Sequence, residues 1–296
     1  MKIEDKIEIL PVSLLDQYQD VVHDLRRLAS SLRLEFGWHY LLDLTWIISQ
    51  LDFSKNLQIT YAGAGTGILQ WYLAEQGVMV LSVDRESRAN LPLRFRVRYS
   101  VKGNNEDDLE PIYKTILHQA RDQGLLRSLA GTAREIIKVK PGRQNPGQVV
   151  IYNRDLVDLK DVPSRSQDAV VAVSSLEHNS PQALQEVINE LMRVIKPGGV
   201  LLATLGAARD EDWFHEPSKG WCYSDITLKR IFNISSDVST NYEQYDELFS
   251  GLHNCGELRD NLASFYSNSG DNGMPWGIWN PQYQTVGICK VKQASE

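Results

Sequence analysis

Apolar residues recur along this chain with two periods, and the changes from one period to the other mark out the elements. Between residues 13 and 32, Leu14, Tyr18, Val21, Val22, Leu25, Leu28, Ala29 and Leu32 fall at i, i+3, i+4, i+7 spacing. That spacing predicts an amphipathic helix, with Ser13 placed to cap it. The stretch WHYLLDLTWIISQL, from about Trp38 to Leu51, is apolar on most sides and predicts a second, buried helix. Short runs rich in β-formers follow: Leu57–Ala62, Val78–Val83, Gln148–Asn153, Gln167–Val173, Val200–Leu205 and residues 283–292 read as strands. A helix that stops at Gly77 joins the first two. Another carries Leu184, Val187, Ile188, Leu191, Val194 and Ile195 on one face, with Ser180 as its cap and Pro181 at its first position. Shorter helices are expected near 225–232 and 257–266. Alternating β and α elements of these lengths predict an α/β protein with a doubly wound, mainly parallel sheet and helices on both faces.

After Asp84 the next good strand begins only at residue 148, so residues 85–147 read as an insertion. Near its start, Leu91, Leu93, Phe95, Val97 and Tyr99 alternate with Arg94, Arg96 and Arg98, which predicts a strand with one basic face, a short helix being the alternative. Helical stretches are expected near 109–122 and 125–139, and Pro141–Pro146 breaks the chain before the strand. The reading is of one domain over 1–296. Within it, 1–55 is a helical extension, 85–147 a lid over a substrate, and 206–296 a substrate-side segment with the closing strand.

At 296 residues, with 42% hydrophobic and 23% charged residues, the chain has an ordinary globular composition. Its net charge of −7 argues against general nucleic-acid binding. Charge is unevenly spread, however, because residues 85–143 hold 13 Lys and Arg against 7 Asp and Glu. Such a lobe would suit a small-molecule acceptor with an anionic group; an ordinary solvated face is the plainer reading. Cys222, Cys255 and Cys289 have no metal-site or disulfide-framework spacing. No apolar run approaches 18 residues and the N-terminus MKIEDKIEIL has no secretory pattern, so a cytoplasmic protein without a membrane partner is expected.

The chemistry concentrates in Leu57–Asp84. Gly63, Gly65 and Gly67 alternate with Ala64 and Thr66 between a strand and a helix, and Asp84 ends the next strand. Alternate glycines let a ligand lie against bare main chain at a helix N-terminus, and a strand-end carboxylate can accept from both hydroxyls of a ribose. An NAD(P)-dependent oxidoreductase would need G-x-G-x-x-G/A, but Ile68 or Gln70 stands where the small third residue belongs.

The pattern G-x-G-x-G resembles motif I of the class I S-adenosylmethionine-dependent methyltransferases. From about Leu57 to Leu205, apart from the insertion, the chain is similar to the subgroup with a leucine, a glutamate and a histidine after strand four, here Leu176, Glu177 and His178. The run LMRVIKPGGVLLATL is also very like that family's helix, turn and strand five. The resemblance implies a Rossmann-like seven-stranded sheet, S-adenosyl-L-methionine as cofactor, and methyl transfer to O or N of a small molecule. It places Gly63, Ala64, Gly65 and Gly67 against the methionine moiety and ribose, and Asp84, with its neighbour Arg85, at the ribose hydroxyls. Asp155 and Leu156 fall beside the adenine, and Ser174 or Ser175 at the methionine end. One departure is Tyr61, which stands where the family often has an acidic residue that helps hold the methionine amino group. Substitutes are then expected from elsewhere, the N-terminal helices being candidates. Strand 283–292 would fill the place between strands five and six.

A hydroxyl acceptor needs a base. His178 and His215 are the candidates at the ligand edge, with His39 a third if the second helix caps the site. Trp38, Tyr40, Trp213, Trp221 and Tyr223 could wall a pocket, whereas Trp46 and Trp71 read as core. The alternative to an enzyme is a methyltransferase-fold binding or scaffold module without turnover.

Overall fold

The computed structural model describes residues 4–54, 56–116, 146–270 and 273–293. Ten strands lie in one sheet: β1 (Lys6–Ile9), β2 (Gln58–Ala62), β3 (Met79–Asp84), β4 (Ser100–Gly103), β5 (Gln148–Asn153), β6 (Gln167–Val173), β7 (Ile195–Ala207), β8 (Trp213–His215), β9 (Gly220–Tyr223) and β10 (Gln284–Val291). Their main order is β1-β10-β7-β6-β2-β3-β5-β4, with β9 beside β7 and β8 beside β9. Strands β4, β5, β3, β2, β6 and β7 are mutually parallel, and β10 runs antiparallel between β7 and β1. The doubly wound α/β class expected from the sequence is therefore observed, with three more strands than the expected seven.

The faces follow from the two-residue period of a strand. Along β6, Ala169, Val171 and Val173 enter one core with Trp46 and Trp71, while Val170 and Ala172 enter the other with Leu184, Leu191 and Leu228. The first core is covered by helices α1 (Ser13–Gln17), α2 (Gln19–Leu32), α3 (Tyr40–Ser49), α4 (Leu69–Glu75) and α5 (Leu93–Arg98). The second is covered by α6 (Pro181–Val194) and α7 (Asp225–Ile231), with Tyr245 of α8 (Tyr245–His253). The Ser180 hydroxyl caps α6 as expected, accepting from Ala183 N at 3.3 Å.

Four expectations need correction. Residues 91–99 contain helix α5 rather than a strand. Phe95 and Tyr99, one helical turn apart, both stack on Trp71 of α4, at 4.5 and 5.0 Å between centroids, and this packing overrides the alternating pattern. The helix expected from Ser13 breaks at Tyr18, and Ser13 is its first residue rather than its cap. The extension is not wholly helical either, since β1 forms an edge strand paired with β10. Near 257–266 there is only the short α9 (Gly256–Arg259) and a 3-10 turn, Ser264–Asn268. The helix expected over 125–139 lies outside the described residues, as do residues 117–122 of the one near 109–122, of which 112–116 are helical, and most of the Pro141–Pro146 break.

Candidate functional site

The chain goes from β2 through β3 to β5 in one direction along the sheet and resumes at β6 on the other side of β2. Loops leaving the carboxyl ends of β2 and β6 therefore diverge, and a cleft opens between them. Gly63 and Gly65 take φ of +68° and +46°, which turn the chain at the end of β2. A Cβ on Gly63 would lie 2.3 Å from the Ser175 Cβ, so the β2 and β6 loops approach too closely for any side chain there. Around Gly65 a Cβ would meet only Asp84 Oδ2, at 4.0 Å, so the loop's outer side is open. Gly65 N donates to Asp84 Oδ2 at 2.7 Å and Glu86 N to Oδ1 at 2.9 Å, which fixes the carboxylate at the cleft with lone pairs to spare.

Beneath the loop lies a buried polar brace. The Gln70 amide donates to Gly67 O at 2.9 Å and Gly65 O at 3.3 Å and accepts from Ser82 Oγ at 2.6 Å. Arg88 in turn donates to Ser82 Oγ (2.5 Å), Ser82 O (2.8 Å) and Tyr152 O (3.0 Å). The residue whose size spoils a dinucleotide fingerprint thus supports this loop from below. Burial pulls the Arg88 guanidinium down to about 10, Asp84 and Asp108 acting against it, so it stays charged at neutral pH. Arg88→Met would strand these carbonyls, and a buried acceptor without a partner costs about 1–3 kcal/mol. A fall in melting temperature on the order of 10 °C is expected, measured by calorimetry; a fall under about 2 °C would deny the brace its role.

All nine residues assigned to the cofactor from the sequence line this one cleft of about 370 Å³: Gly63, Ala64, Gly65, Gly67, Asp84, Arg85, Asp155, Leu156 and Ser174. Tyr40, Tyr61 and His178 line it too. Tyr61 is buried, and burial beside Asp84 and Asp43 holds its phenol neutral. Ser174 is held at φ +44°, an uncommon conformation for serine, of the kind that collects at functional sites.

Tyr40, Ser174 and His178 also line a neighbouring chamber of about 260 Å³. Its aromatic wall is Trp38, Tyr40, Phe265, Tyr266 and Tyr283, and its polar groups include His39 and Glu177. His39 directly precedes α3, and Asp43 follows one turn later. His39 Nδ1 lies 2.7 Å from Asp43 Oδ2, and Thr285 Oγ1 donates to Oδ1 at 2.7 Å. With the carboxylate accepting, the neutral His39 ring carries its proton on Nδ1, and Nε2 is the acceptor nitrogen, receiving a hydrogen bond from the Tyr283 hydroxyl at 3.3 Å. This is the buried dyad that the sequence reading missed in part: it weighed His39 but not Asp43. A His and an Asp at i, i+4 inside an otherwise apolar helix were the available signal.

The other two histidines fare differently. His178 lines both cavities and is exposed, with Nδ1 bonded to Lys219 O at 3.0 Å, which leaves Nε2 open. His215 lines neither. It sits on β8, 2.7 Å from Ser218 Oγ and edge-on to Tyr283, and burial lowers its basicity. It backs the chamber wall rather than facing the space. Trp213, Trp221 and Tyr223 likewise line neither cavity, while Trp46 and Trp71 are core as expected.

Glu177 is 6% exposed, its Oε1 accepts from Ser174 Oγ, and its Oε2 has no hydrogen-bond partner among the described residues. Burial raises its proton affinity, against the smaller opposing pull of His178, Ser174 and His39. Folded and unfolded states are both protonated well below the ordinary carboxyl value of 4.5, and above it the unfolded state ionises first. Wild-type stability should therefore fall relative to Glu177→Gln as pH rises from 4.5 towards 8. The melting-temperature gap should widen by about 2–4 °C for each kcal/mol of burial penalty. A gap constant across that range would contradict the burial argument.

No helix among the described residues is long and apolar enough to cross a membrane, and none of their His, Cys, Asp and Glu side chains form a metal-binding group. Residues 129–203 match a family model described as a methyltransferase domain. No curated protein matches the chain. Among solved structures it is similar to an S-adenosylmethionine-dependent methyltransferase from Methanosarcina mazei, at 13% identity over 84% of this chain and 97% of that one, with a TM-score of 0.45. It is also similar to the SpnF cyclase, at 17% identity over 98% and 99%, TM-score 0.45. A third is the 1,6-didemethyltoxoflavin-N1-methyltransferase of Burkholderia thailandensis, with 1,6-didemethyltoxoflavin and S-adenosylhomocysteine bound, at 12% identity over 95% of this chain and 86% of that one, TM-score 0.42.

Proposed function

From the premise that this chain carries a methyltransferase domain, we propose that it moves the methyl group of S-adenosyl-L-methionine to O or N of a small molecule held in the aromatic chamber. The observation that carries this reading is that a cleft and a chamber share Tyr40, Ser174 and His178 in their walls, and that the chamber is also lined by His39, whose Nδ1 lies 2.7 Å from the buried Asp43. The donor set fits the cofactor. Asp84 has lone pairs for ribose hydroxyls, Asp155 lies further along the cleft for the adenine amino group, and the open side of Gly65 admits the ligand against main chain.

When bound, the cofactor supplies a methyl carbon activated by a neighbouring sulfonium. The chain's own part is alignment, exclusion of water and handling of one proton. Fixing two reactants in line is worth several kcal/mol of barrier, up to about 7–11 in the best cases. Tyr40, Ser174 and His178 stand at the junction of the two cavities, where the reacting atoms would meet. His39 Nε2 takes the acceptor's proton, and Asp43 holds the ring in the right tautomer and stabilises the imidazolium. His39 also supplies the base whose absence would motivate a scaffold without turnover. At about 260 Å³ the chamber is below the roughly 300–1,000 Å³ of drug-sized sites, so the acceptor is small.

The insertion, over residues 85–147, is assigned as the lid, with the 206–296 segment forming the far wall. Calorimetry of the intact chain with S-adenosylhomocysteine tests the reading: micromolar binding is expected, and a folded protein that gives no binding heat at any temperature would refute it.

A further inference from the structure

Resting on that reading, we propose that the chamber selects an acceptor bearing a protonated amine, and that Glu177 is the residue that pairs with it.

Three observations converge. Glu177 lines the chamber and not the cofactor cleft, and one of its carboxylate oxygens lacks a partner although the residue is 94% covered. The contacts around it are tight: a Cβ on Gly220 would come within 2.9 Å of its Cγ, so the side chain is wedged in place. A buried carboxylate oxygen left unpaired is costly, and a ligand cation that pairs with it recovers that cost.

The second observation is the wall. Trp38, Tyr40, Phe265, Tyr266 and Tyr283 present aromatic rings, and ring faces attract a cation once water is excluded. Tyr266 is itself fixed, because its hydroxyl accepts from Trp38 N at 3.1 Å.

The third is what the chamber lacks. None of its described lining residues is Lys or Arg. Three basic side chains of the 85–116 segment are committed elsewhere: Arg88 braces the glycine loop, Arg96 donates to Glu110 O, and Arg98 pairs with Glu75. Among the described lining residues, then, no cation answers the anionic acceptor suggested by charge counting. A neutral alcohol can hydrogen-bond to Glu177 but leaves burial favouring its protonated form, whereas an ammonium stabilises the ionised carboxylate and pairs with it.

The transfer balances. The ammonium gives one proton to His39 Nε2 and becomes a neutral amine. Its lone pair forms the new nitrogen–carbon bond, and the carbon–sulfur bond breaks with its electrons left on sulfur. Two positive charges enter, on ammonium and sulfonium, and two leave, on imidazolium and methylated ammonium.

Matched pairs of small probes test this by calorimetry on the intact chain saturated with S-adenosylhomocysteine: phenethylamine against 2-phenylethanol, and benzylamine against benzyl alcohol. Each amine should bind at least tenfold more tightly than its alcohol. In Glu177→Gln that preference should shrink to within about twofold, with S-adenosylhomocysteine affinity unchanged. Equal binding of amine and alcohol to wild type, or no amine binding at 10 mM (about the weakest affinity such a titration resolves), would overturn the proposal. So would a variant that loses S-adenosylhomocysteine affinity and keeps the amine preference, since Glu177 would then serve the cofactor. Loss of S-adenosylhomocysteine binding by the wild type is a different result, and it strikes at the methyl-transfer reading itself.

Discussion

Asp84→Ala is expected to weaken S-adenosylhomocysteine binding by roughly 10²- to 10⁴-fold. The carboxylate has two jobs in this structure. It anchors the glycine loop through Gly65 N at 2.7 Å, and it offers its remaining lone pairs to the cleft. Hydrogen bonds to a charged acceptor are worth about 1.5–3 kcal/mol each, and two to a ribose diol would be lost together. Asp84→Asn separates the jobs, because its single carbonyl oxygen can still accept from Gly65 but only one hydroxyl is then well served. An intermediate loss is expected for it. Titration calorimetry reads both variants, and an affinity within twofold of wild type for a folded Asp84→Ala protein would remove the ribose from this position.

His39→Ala should lower turnover by roughly 10²- to 10⁴-fold, the usual contribution of a positioned general base, while S-adenosylhomocysteine affinity stays within about twofold. The ring is 3% exposed, lines the acceptor chamber and not the cofactor cleft, and has its Nδ1 committed to Asp43. Asp43→Asn should reduce turnover in the same direction, because an amide no longer fixes the proton on Nδ1, and it should shift the pH profile, which packing damage alone would not do. Formation of S-adenosylhomocysteine from a turning-over acceptor measures both. Full activity in His39→Ala would return attention to His178, whose Nε2 is open at the junction of the cavities.

Where sequence reading succeeded, the determinants were local. Gly63, Gly65 and Gly67 occur together because the turn and the helix start are both settled within a few residues. Ser180 and Pro181 likewise announce α6 from two adjacent positions. Where it failed, a neighbour distant in sequence decided the outcome. Leu91–Tyr99 alternates like a strand, yet Trp71 offers a flat ring that Phe95 and Tyr99 cover best from a helix. Lys6–Ile9 is too short to declare itself and becomes a strand because the edge of β10 lies open to it. His215 sits at the predicted edge, but the 2.7 Å contact with Ser218 and the packing on Tyr283 place it behind the wall.

The chain's own order of residues determined the doubly wound architecture and the glycine-loop side of the cleft, since a strand, a glycine turn, a helix and a strand-end carboxylate lie within 28 consecutive positions, Leu57–Asp84. Only the tertiary structure decided the acceptor half. His39 meets Tyr283 across 244 positions, Asp43 meets Thr285 across 242, and Glu177 comes from a third place between them. No periodicity or spacing connects residues so far apart. What brings them together is α3 packing over the sheet with β10 inserted beside β7, a burial of apolar surface that carries these few polar groups into one chamber.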